Sequence, residues 1–349
     1  MLTEPQILDT LKTVKYPGFS RDIVSFGLVK GISIDGNKVG VRIAITTADA
    51  NIPEALRQSV VAALKTIPGV TLADVHVESN APLQAVSQAG GLPQNEIPGV
   101  KHIIAVASGK GGVGKSTIAA NLAVALQLQG QRVGLCDCDI YGPSVALMFG
   151  SKERPTGTDD GQIIPIVAHG VKLMSMGFLL EDTAAAILRG PMVTRYTQQF
   201  LRSVAWGELD YLILDLPPGT GDIQLTIVQT VALSGAVIVT TPQEVALIDA
   251  RKAATMFEKV NVPVLGIIEN MSYFLCPSDG KRYDIFGSSG GQKEAERLKV
   301  PLLAQVPIEI PIRESGDAGR PIVSRDLQAL SSQQIIEASK IILRNTKGA

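Results

Sequence analysis

The stretch Gly109-Lys110-Gly111-Gly112-Val113-Gly114-Lys115-Ser116-Thr117, GKGGVGKST, decides how the rest of the chain is read. The run before it, His102 to Ser108, is apolar and β-prone, and Ile118 to Leu128 after it has apolar residues at helical spacing. The loop therefore joins a strand to a helix. Its four glycines let successive backbone N–H groups converge on an anion with no Cβ in the way, and a helix beginning near Lys115 adds the positive end of its dipole. In a G-x-x-x-x-G-K-S loop so placed, Lys115 reaches the β- and γ-phosphates of a nucleotide and the Ser116 hydroxyl ligates Mg²⁺. Gly109 to Thr117 are the expected nucleotide-binding residues; a glycine-rich turn with no ligand is the alternative.

On both sides of the loop, from Val100 on, β-prone runs alternate with helical ones. The strands are Ile103 to Ala107, Arg132 to Cys136, Val171 to Met174, Tyr211 to Asp215, Ala236 to Thr240 and Val264 to Ile268. This alternation predicts an α/β domain with a mostly parallel sheet and helices on both faces, the architecture of a P-loop NTPase. Its ligands should lie at the carboxyl ends of the strands. Before it, helical spacing over Pro5 to Val14, with Thr3 as cap, precedes strands Leu28 to Ile34 and Val39 to Thr46 around Asp35-Gly36-Asn37. A second helix, Pro53 to Ile67, puts Leu56, Val60, Ala63 and Leu64 on one face, and Val70 to Val77 is a third strand. The expected division is a small α-β-β-α-β domain over residues 1–78, a Gln-, Ala-, Pro- and Gly-rich linker over 79–99 and the NTPase domain over 100–349. The tail from Leu327 to Leu343 reads as a helix packed on that domain.

A chain of 349 residues with net charge −1 lacks the basic footprint of a nucleic-acid binder. The start, MLTEPQILDTLKTV, has no apolar signal core, and no stretch is long enough to span a bilayer. Three cysteines, Cys136, Cys138 and Cys276, fit reduced thiols. A cytoplasmic protein that binds neither nucleic acid nor membrane is the expectation. Cys136 and Cys138, two apart, read as small core residues.

The apolar strand Tyr211-Leu212-Ile213-Leu214-Asp215 ends in an aspartate, the form of an element that holds the Mg²⁺ shell. Around it runs WGELDYLILDLPPGTGD, Trp206 to Asp222. A second strand runs into Asp137-Cys138-Asp139-Ile140-Tyr141-Gly142-Pro143-Ser144. With GKGGVGKST, these segments resemble the Mrp/ApbC family of iron–sulfur carrier ATPases, within the group whose deviant loop carries an extra lysine, here Lys110. The small domain, with Asp22-Ile23-Val24-Ser25-Phe26-Gly27-Leu28-Val29, is similar to one found in many iron–sulfur assembly factors.

The resemblance implies a homodimeric, slow, Mg²⁺-dependent ATPase that assembles iron–sulfur clusters or transfers them to apo-proteins or assembly factors. It implies that Lys110 reaches across the dimer to the partner's ATP, where a cation stabilises charge on the transferring phosphoryl group. It makes 137–144 and 217–222 nucleotide-sensing switches, with Asp139 orienting the attacking water and Asp137 and Asp215 supporting Mg²⁺ with Ser116. Aspartates capping a strand-to-loop turn remain the alternative for the first switch. The resemblance also sets Asn270, in Glu269-Asn270-Met271-Ser272, against the adenine edge, with Pro307 to Arg313 and Gly316 to Pro321 beside the base. Arg189-Gly190-Pro191-Met192 has an interface or positioning role, or a structural one.

In the family a C-x-x-C pair holds a bridging 4Fe–4S cluster. Here that segment is CPSDGKRYDIFG, Cys276 to Gly287, with Asp279 at the second cysteine's place, so a symmetric dimer offers two thiolates where a Cys₄ site needs four. The small domain's usual cysteine is also absent from Thr46 to Pro53. Two rival readings follow: a positioning or partition ATPase sharing the same loop, and a nucleotide-switched scaffold that has lost its cluster.

Overall fold

The computed structural model describes residues 2–14, 22–24, 28–46, 52–80, 96–158, 162–178, 201 and 203–347. The chain divides into two units, Met1–Gly90 and Gly91–Ala349.

In the first unit, helix α1 (Glu4–Leu11) precedes the hairpin of β1 (Val29–Asp35) and β2 (Lys38–Thr46), then α2 (Ile52–Leu64) and β3 (Leu72–Asn80). The hairpin turns on Gly36, whose φ of 57° suits a residue without Cβ, and joins Asp35 to Lys38. Strand β3 returns parallel to β2, from Lys38↔Leu72 to Thr46↔Asn80, so Ser79 and Asn80 belong to the sheet and not to a linker. Alternate residues Val39, Val41 and Ile43 face Ile7, Leu11, Leu56, Val60 and Leu64 in one apolar core. Thr3 occupies the cap position of α1 but makes no side-chain cap; its carbonyl accepts the Ile7 N–H at 3.2 Å instead.

The second unit alternates as the apolar runs predict. β4 (Val100–Ala107), α3 (Lys115–Leu128), β5 (Val133–Asp137) and a single turn α4 (Val145–Met148) lead to β6 (Ile166–Ala168) and β7 (Val171–Ser175). Then come β8 (Leu209–Asp215), α5 (Asp222–Thr230), β9 (Gly235–Thr240), α6 (Glu244–Lys259) and β10 (Val264–Glu269). Helix α7 (Gly290–Leu298), β11 (Leu302–Gln305), α8 (Ile310–Asp317) and the long α9 (Leu330–Lys347) follow. The sheet order is β11-β10-β9-β4-β8-β5-β7-β6, parallel except for the β6–β7 pair. The edge strands β6 and β11, three and four residues long, are absent from the sequence reading because so short a run has no measurable period.

Period-two alternation splits each central strand between two cores. Ile104, Val106, Tyr211 and Ile213 face α3 and α9, while Ile103, Ala105, Leu212 and Leu214 face the opposite layer with Ile227 of α5 and Phe257 of α6. Each face buries large side chains such as Leu122 and Phe257, whose truncation to alanine costs about 3 kcal/mol. This double cover fixes the sheet, and the carboxyl ends of β4, β5, β8 and β10 then deliver their loops to one edge.

Candidate functional site

At the end of β4 the chain turns into α3 through Gly109 to Gly114. The first helical residue is Lys115, its cap residue Gly114 has φ 80°, and a Cβ there would run into the Asn270 amide. Only glycine satisfies both the left-handed backbone and that close approach. Ser108 ties the loop by donating its hydroxyl to the Lys110 carbonyl at 2.9 Å.

The loop floors a cavity of about 240 Å³. Lys115, Ser116 and Thr117 line it from the helix, Asp139 and Ser144 from the segment after β5, and Pro218 from the segment after β8. Gly219 donates its N–H to the Ser108 carbonyl at 3.0 Å, fixing that second segment against the loop. The Lys115 ammonium donates to the Asp215 carboxylate, and to Ser116 Oγ at 3.2 Å. Lys115 is 7% exposed and Asp215 0%. Burial raises the Asp215 pKa, while the Lys115 charge pulls it down. Asp215 Oδ2 is buried with no hydrogen-bond partner.

Asp137, at the end of β5, is also buried, and its carboxylate accepts four donors. They are the N–H groups of Asp139, Ser144 and Val145 at 3.1, 2.9 and 3.1 Å, and the Ser175 hydroxyl at 3.0 Å. Burial first, and then the Asp215 charge, push its pKa up to about 7. Asp137 thus organises the loop that carries Asp139 and Ser144, and Ser175 of β7, which no motif marks, is its fourth partner. The Asp139 carboxylate accepts the Gly142 N–H at 3.2 Å.

A second, more apolar cavity of about 510 Å³ abuts the first at Gly114, Thr117 and Met148. Asn270, Met271, Ile308, Ile312 and Phe286 line it, and so do Glu309, Arg313 and Asp317. Both segments placed beside the base by the sequence reading supply lining residues, Pro307 to Arg313 and Gly316 to Pro321. Asn270 donates from Nδ2 to the Val113 carbonyl at 2.9 Å, tying the phosphate loop to the cavity wall. Phe286 lies in the cysteine-bearing segment, and nothing in its spacing marked it as a lining residue.

Asp215 Oδ2 and the Ser116 hydroxyl are hard oxygen donors beside the phosphate loop, and this donor set fits Mg²⁺. Among the described residues no cluster of three or more His, Cys, Asp or Glu could hold a metal unaided. Mg²⁺ is ordinarily held by one or two carboxylates together with substrate phosphates.

Lys110, half-buried, lies outside the lining of its own loop's cavity and has no carboxylate partner among the described residues. Cys136 and Cys138 are in the core, 0% and 1% exposed, their sulfurs 3.9 Å apart; the Cys136 hydrogen bond and burial push the Cys138 thiol well up. Cys276 is half-exposed, 3.1 Å from Ser278 Oγ, a hydrogen bond that lowers its pKa. The Asp279 carboxylate accepts the Lys281 N–H at 3.0 Å and the Tyr283 hydroxyl at 3.3 Å. Residues 189–192 lie outside the described residues.

A phosphate loop between the central strand of a parallel sheet and its helix, with a lysine–aspartate pair beneath it, defines a P-loop NTPase. Residues 99–343 match the family described as NUBPL iron-transfer P-loop NTPase, and residues 4–77 match the iron–sulfur cluster assembly protein family. The chain belongs to this iron-transfer P-loop NTPase family. It is 47% identical over 330 residues to the iron–sulfur cluster carrier protein of Deinococcus radiodurans, covering 94% of this chain and 91% of that one. The carrier protein of Synechocystis is 44% identical, covering 98% and 97%. Among solved structures, a nucleotide-binding protein of Archaeoglobus fulgidus in complex with ADP is 42% identical, with TM-score 0.58 over 64% of this chain and 88% of that one. The cell division ATPase MinD of Pyrococcus furiosus, 23% identical with TM-score 0.56, covering 70% of this chain and 99% of that one, shares the fold.

Proposed function

We propose that this chain is a Mg²⁺-dependent ATPase working as a homodimer in the cytoplasm to assemble iron–sulfur clusters or pass them to apo-proteins. The observation that carries this reading is the cavity in which Lys115, Ser116, Asp139 and Ser144 converge, in a chain whose matches to carrier proteins run through both domains.

Phosphoryl transfer asks a protein mainly to position groups and stabilise charge. The glycine-rich backbone and the start of α3 face the phosphates, and Lys115 is placed to bridge them to Asp215. Ser116 and Asp215, with Asp137 behind them, would hold Mg²⁺, which supplies neutralisation of phosphate charge when bound. Asp139, braced by Gly142, lines the cavity where a water attacks, and Lys110 serves the partner's nucleotide. Asn270 and the apolar wall take the base. Hydrolysis is slow and coupled to reordering of 137–144 and 217–222.

The cargo meets one half-exposed thiol per chain, Cys276, since Cys136 and Cys138 are sealed in the core. Two copies supply two thiolates, fewer than a Cys₄ site, so a cluster held there is labile. Asp279 at the second cysteine's position favours one further reading, a nucleotide-switched scaffold without cargo.

ATPase assays of wild type and Lys115→Ala, followed by anaerobic reconstitution with iron and sulfide and transfer to an apo-protein, test the proposal. Activity lost in Lys115→Ala, together with bound iron that Cys276→Ala abolishes, supports the carrier. Undiminished ATPase activity in Lys115→Ala removes the site assignment, and no iron in either wild type or Cys276→Ala selects the scaffold.

A further inference from the structure

The hairpin that carries Cys276 is rooted at both ends in the wall of the apolar cavity. Its outgoing leg leaves β10 through Asn270 and Met271, which line the cavity. The Ser272 N–H then donates to the Val306 carbonyl at 2.9 Å, the Ile308 N–H donates to the Tyr273 carbonyl at 2.7 Å, and Phe274 bridges to Ile308, another lining residue. The returning leg pairs Arg282 with Leu275 and Tyr283 with Phe274, and the Arg282 guanidinium lies 4.2 Å over the Tyr273 ring. Three residues after Tyr283 it delivers Phe286, half-buried, to the same cavity. Cys276 stands at the far end, where its N–H donates to the Lys281 carbonyl and its carbonyl accepts the Gly280 N–H, both at 2.9 Å.

We infer that Phe286 is a positioning residue that couples the two ends: a planar base in the cavity packs on its ring, fixes the returning leg, and so makes nucleotide occupancy control the reactivity of the Cys276 thiol. The inference rests on reading this cavity as the base site. Its physical ground is the weakness of the hairpin alone. Two residue pairs close it, and an isolated two-stranded hairpin is marginal in water. Local opening of such an element costs little; exchange of the Cys276 amide hydrogen, bonded to the Lys281 carbonyl in the closed hairpin, reports the opened fraction, and opening also frees the thiol from the Ser278 bond that lowers its pKa. A ligand that needs the closed wall suppresses opening by a factor of one plus its concentration over Kd, about tenfold at ten times Kd.

The test uses the full chain and MgADP. Exchange of the Cys276 amide hydrogen with deuterium is timed with and without nucleotide, thiol–disulfide exchange with an aromatic disulfide, in which the thiolate attacks one sulfur and the coloured aromatic thiolate leaves, is timed beside it, and calorimetry measures ADP binding. With Cys136 and Cys138 at 0% and 1% exposure, the fast phase belongs to Cys276, and Cys276→Ser removes it. Amide exchange at Cys276 in wild type slows about tenfold with ADP at ten times its Kd, and the thiol rate shifts with it. Phe286→Ala, measured at ten times its own Kd, shows a ratio near one, and Phe286→Tyr restores the slowing. ADP binding with an unchanged wild-type rate overturns the coupling, as does full protection in Phe286→Ala. Absence of ADP binding in wild type overturns the base-site reading and the coupling with it.

Discussion

The Lys115 ammonium and the Asp215 carboxylate form an ion pair buried between the start of α3 and the end of β8, joining positions 100 residues apart. Removing one member of such a pair strands the other charge in the interior, a cost of about 3 kcal/mol. Lys115→Ala is therefore expected to lose stability as well as ATPase activity. Lys115→Ala/Asp215→Asn removes the stranded charge and regains much of the stability, with activity still absent. Urea denaturation beside turnover assays separates the two effects. A single variant as stable as wild type, or a double variant no better than the single, contradicts the pair.

Asn270 and Gly114 meet where the phosphate loop touches the apolar cavity proposed to take the base. Asn270→Ala deletes the bond to the Val113 carbonyl and a lining group, and a buried amide bond is worth about 1 kcal/mol, so ADP affinity falls roughly five- to tenfold. Gly114→Ala demands a side chain at φ 80° and drives its Cβ into the Asn270 amide, so its loss of affinity is larger, over about tenfold. Calorimetric titration with MgADP orders the two variants. The reverse order, or Gly114→Ala binding as wild type, argues against this geometry.

These contacts mark the limit of what a linear reading offers. Strands β4, β5, β8, β9 and β10 carry continuous apolar runs and β7 alternates apolar with polar about Lys172, so their identity follows from hydrophobic pattern alone. GKGGVGKST names its own lysine and serine because the loop's chemistry is local. Ser175 on Asp137, Asn270 on Val113 and Phe286 in the apolar cavity depend instead on which strands are neighbours, and sheet order leaves no periodic trace in the chain. The same holds for Thr3, whose residue type suits a cap although its side chain makes none.

Asp210 tests the sheet beneath the site. At the opposite end of β8 from Asp215, its carboxylate accepts the backbone N–H and guanidinium of Arg132 and pairs with Lys101 at 2.9 Å, and the Arg132 bonds hold its pKa well below the usual carboxylate range. Because the folded value lies below the unfolded one near 4, the stabilisation is present at neutral pH and is lost as pH falls toward the folded value. Arg132 is half-exposed, so solvent screens the pair and its contribution is modest. Asp210→Asn should be modestly less stable than wild type at pH 7, and the gap should narrow below about pH 5. Urea midpoints of both proteins at pH 7, 5 and 4 check this, and a gap that stays constant or widens on acidification contradicts it.

Lys110 makes the strongest demand on the proposed dimer. It shares a loop with Lys115 yet lies outside its own chain's phosphate cavity and has no carboxylate partner among the described residues. If it completes the site of a second copy, Lys110→Ala keeps most of its ADP affinity while turnover falls about 10³-fold, the scale of a lost cation on the transferring phosphoryl group. Lys115→Ala loses both. Neither variant is active alone, but in a mixed dimer the Lys110→Ala chain keeps its own Lys115 and receives Lys110 from the Lys115→Ala chain, rebuilding one complete site. Random exchange makes half the dimers mixed, each with one working site of two, so an equimolar mixture should recover about a quarter of wild-type turnover. Recovery that rises with total protein concentration identifies association as its source. A mixture as inactive as its components, after subunit exchange has been confirmed by size and label, places Lys110 in its own chain's chemistry or in none.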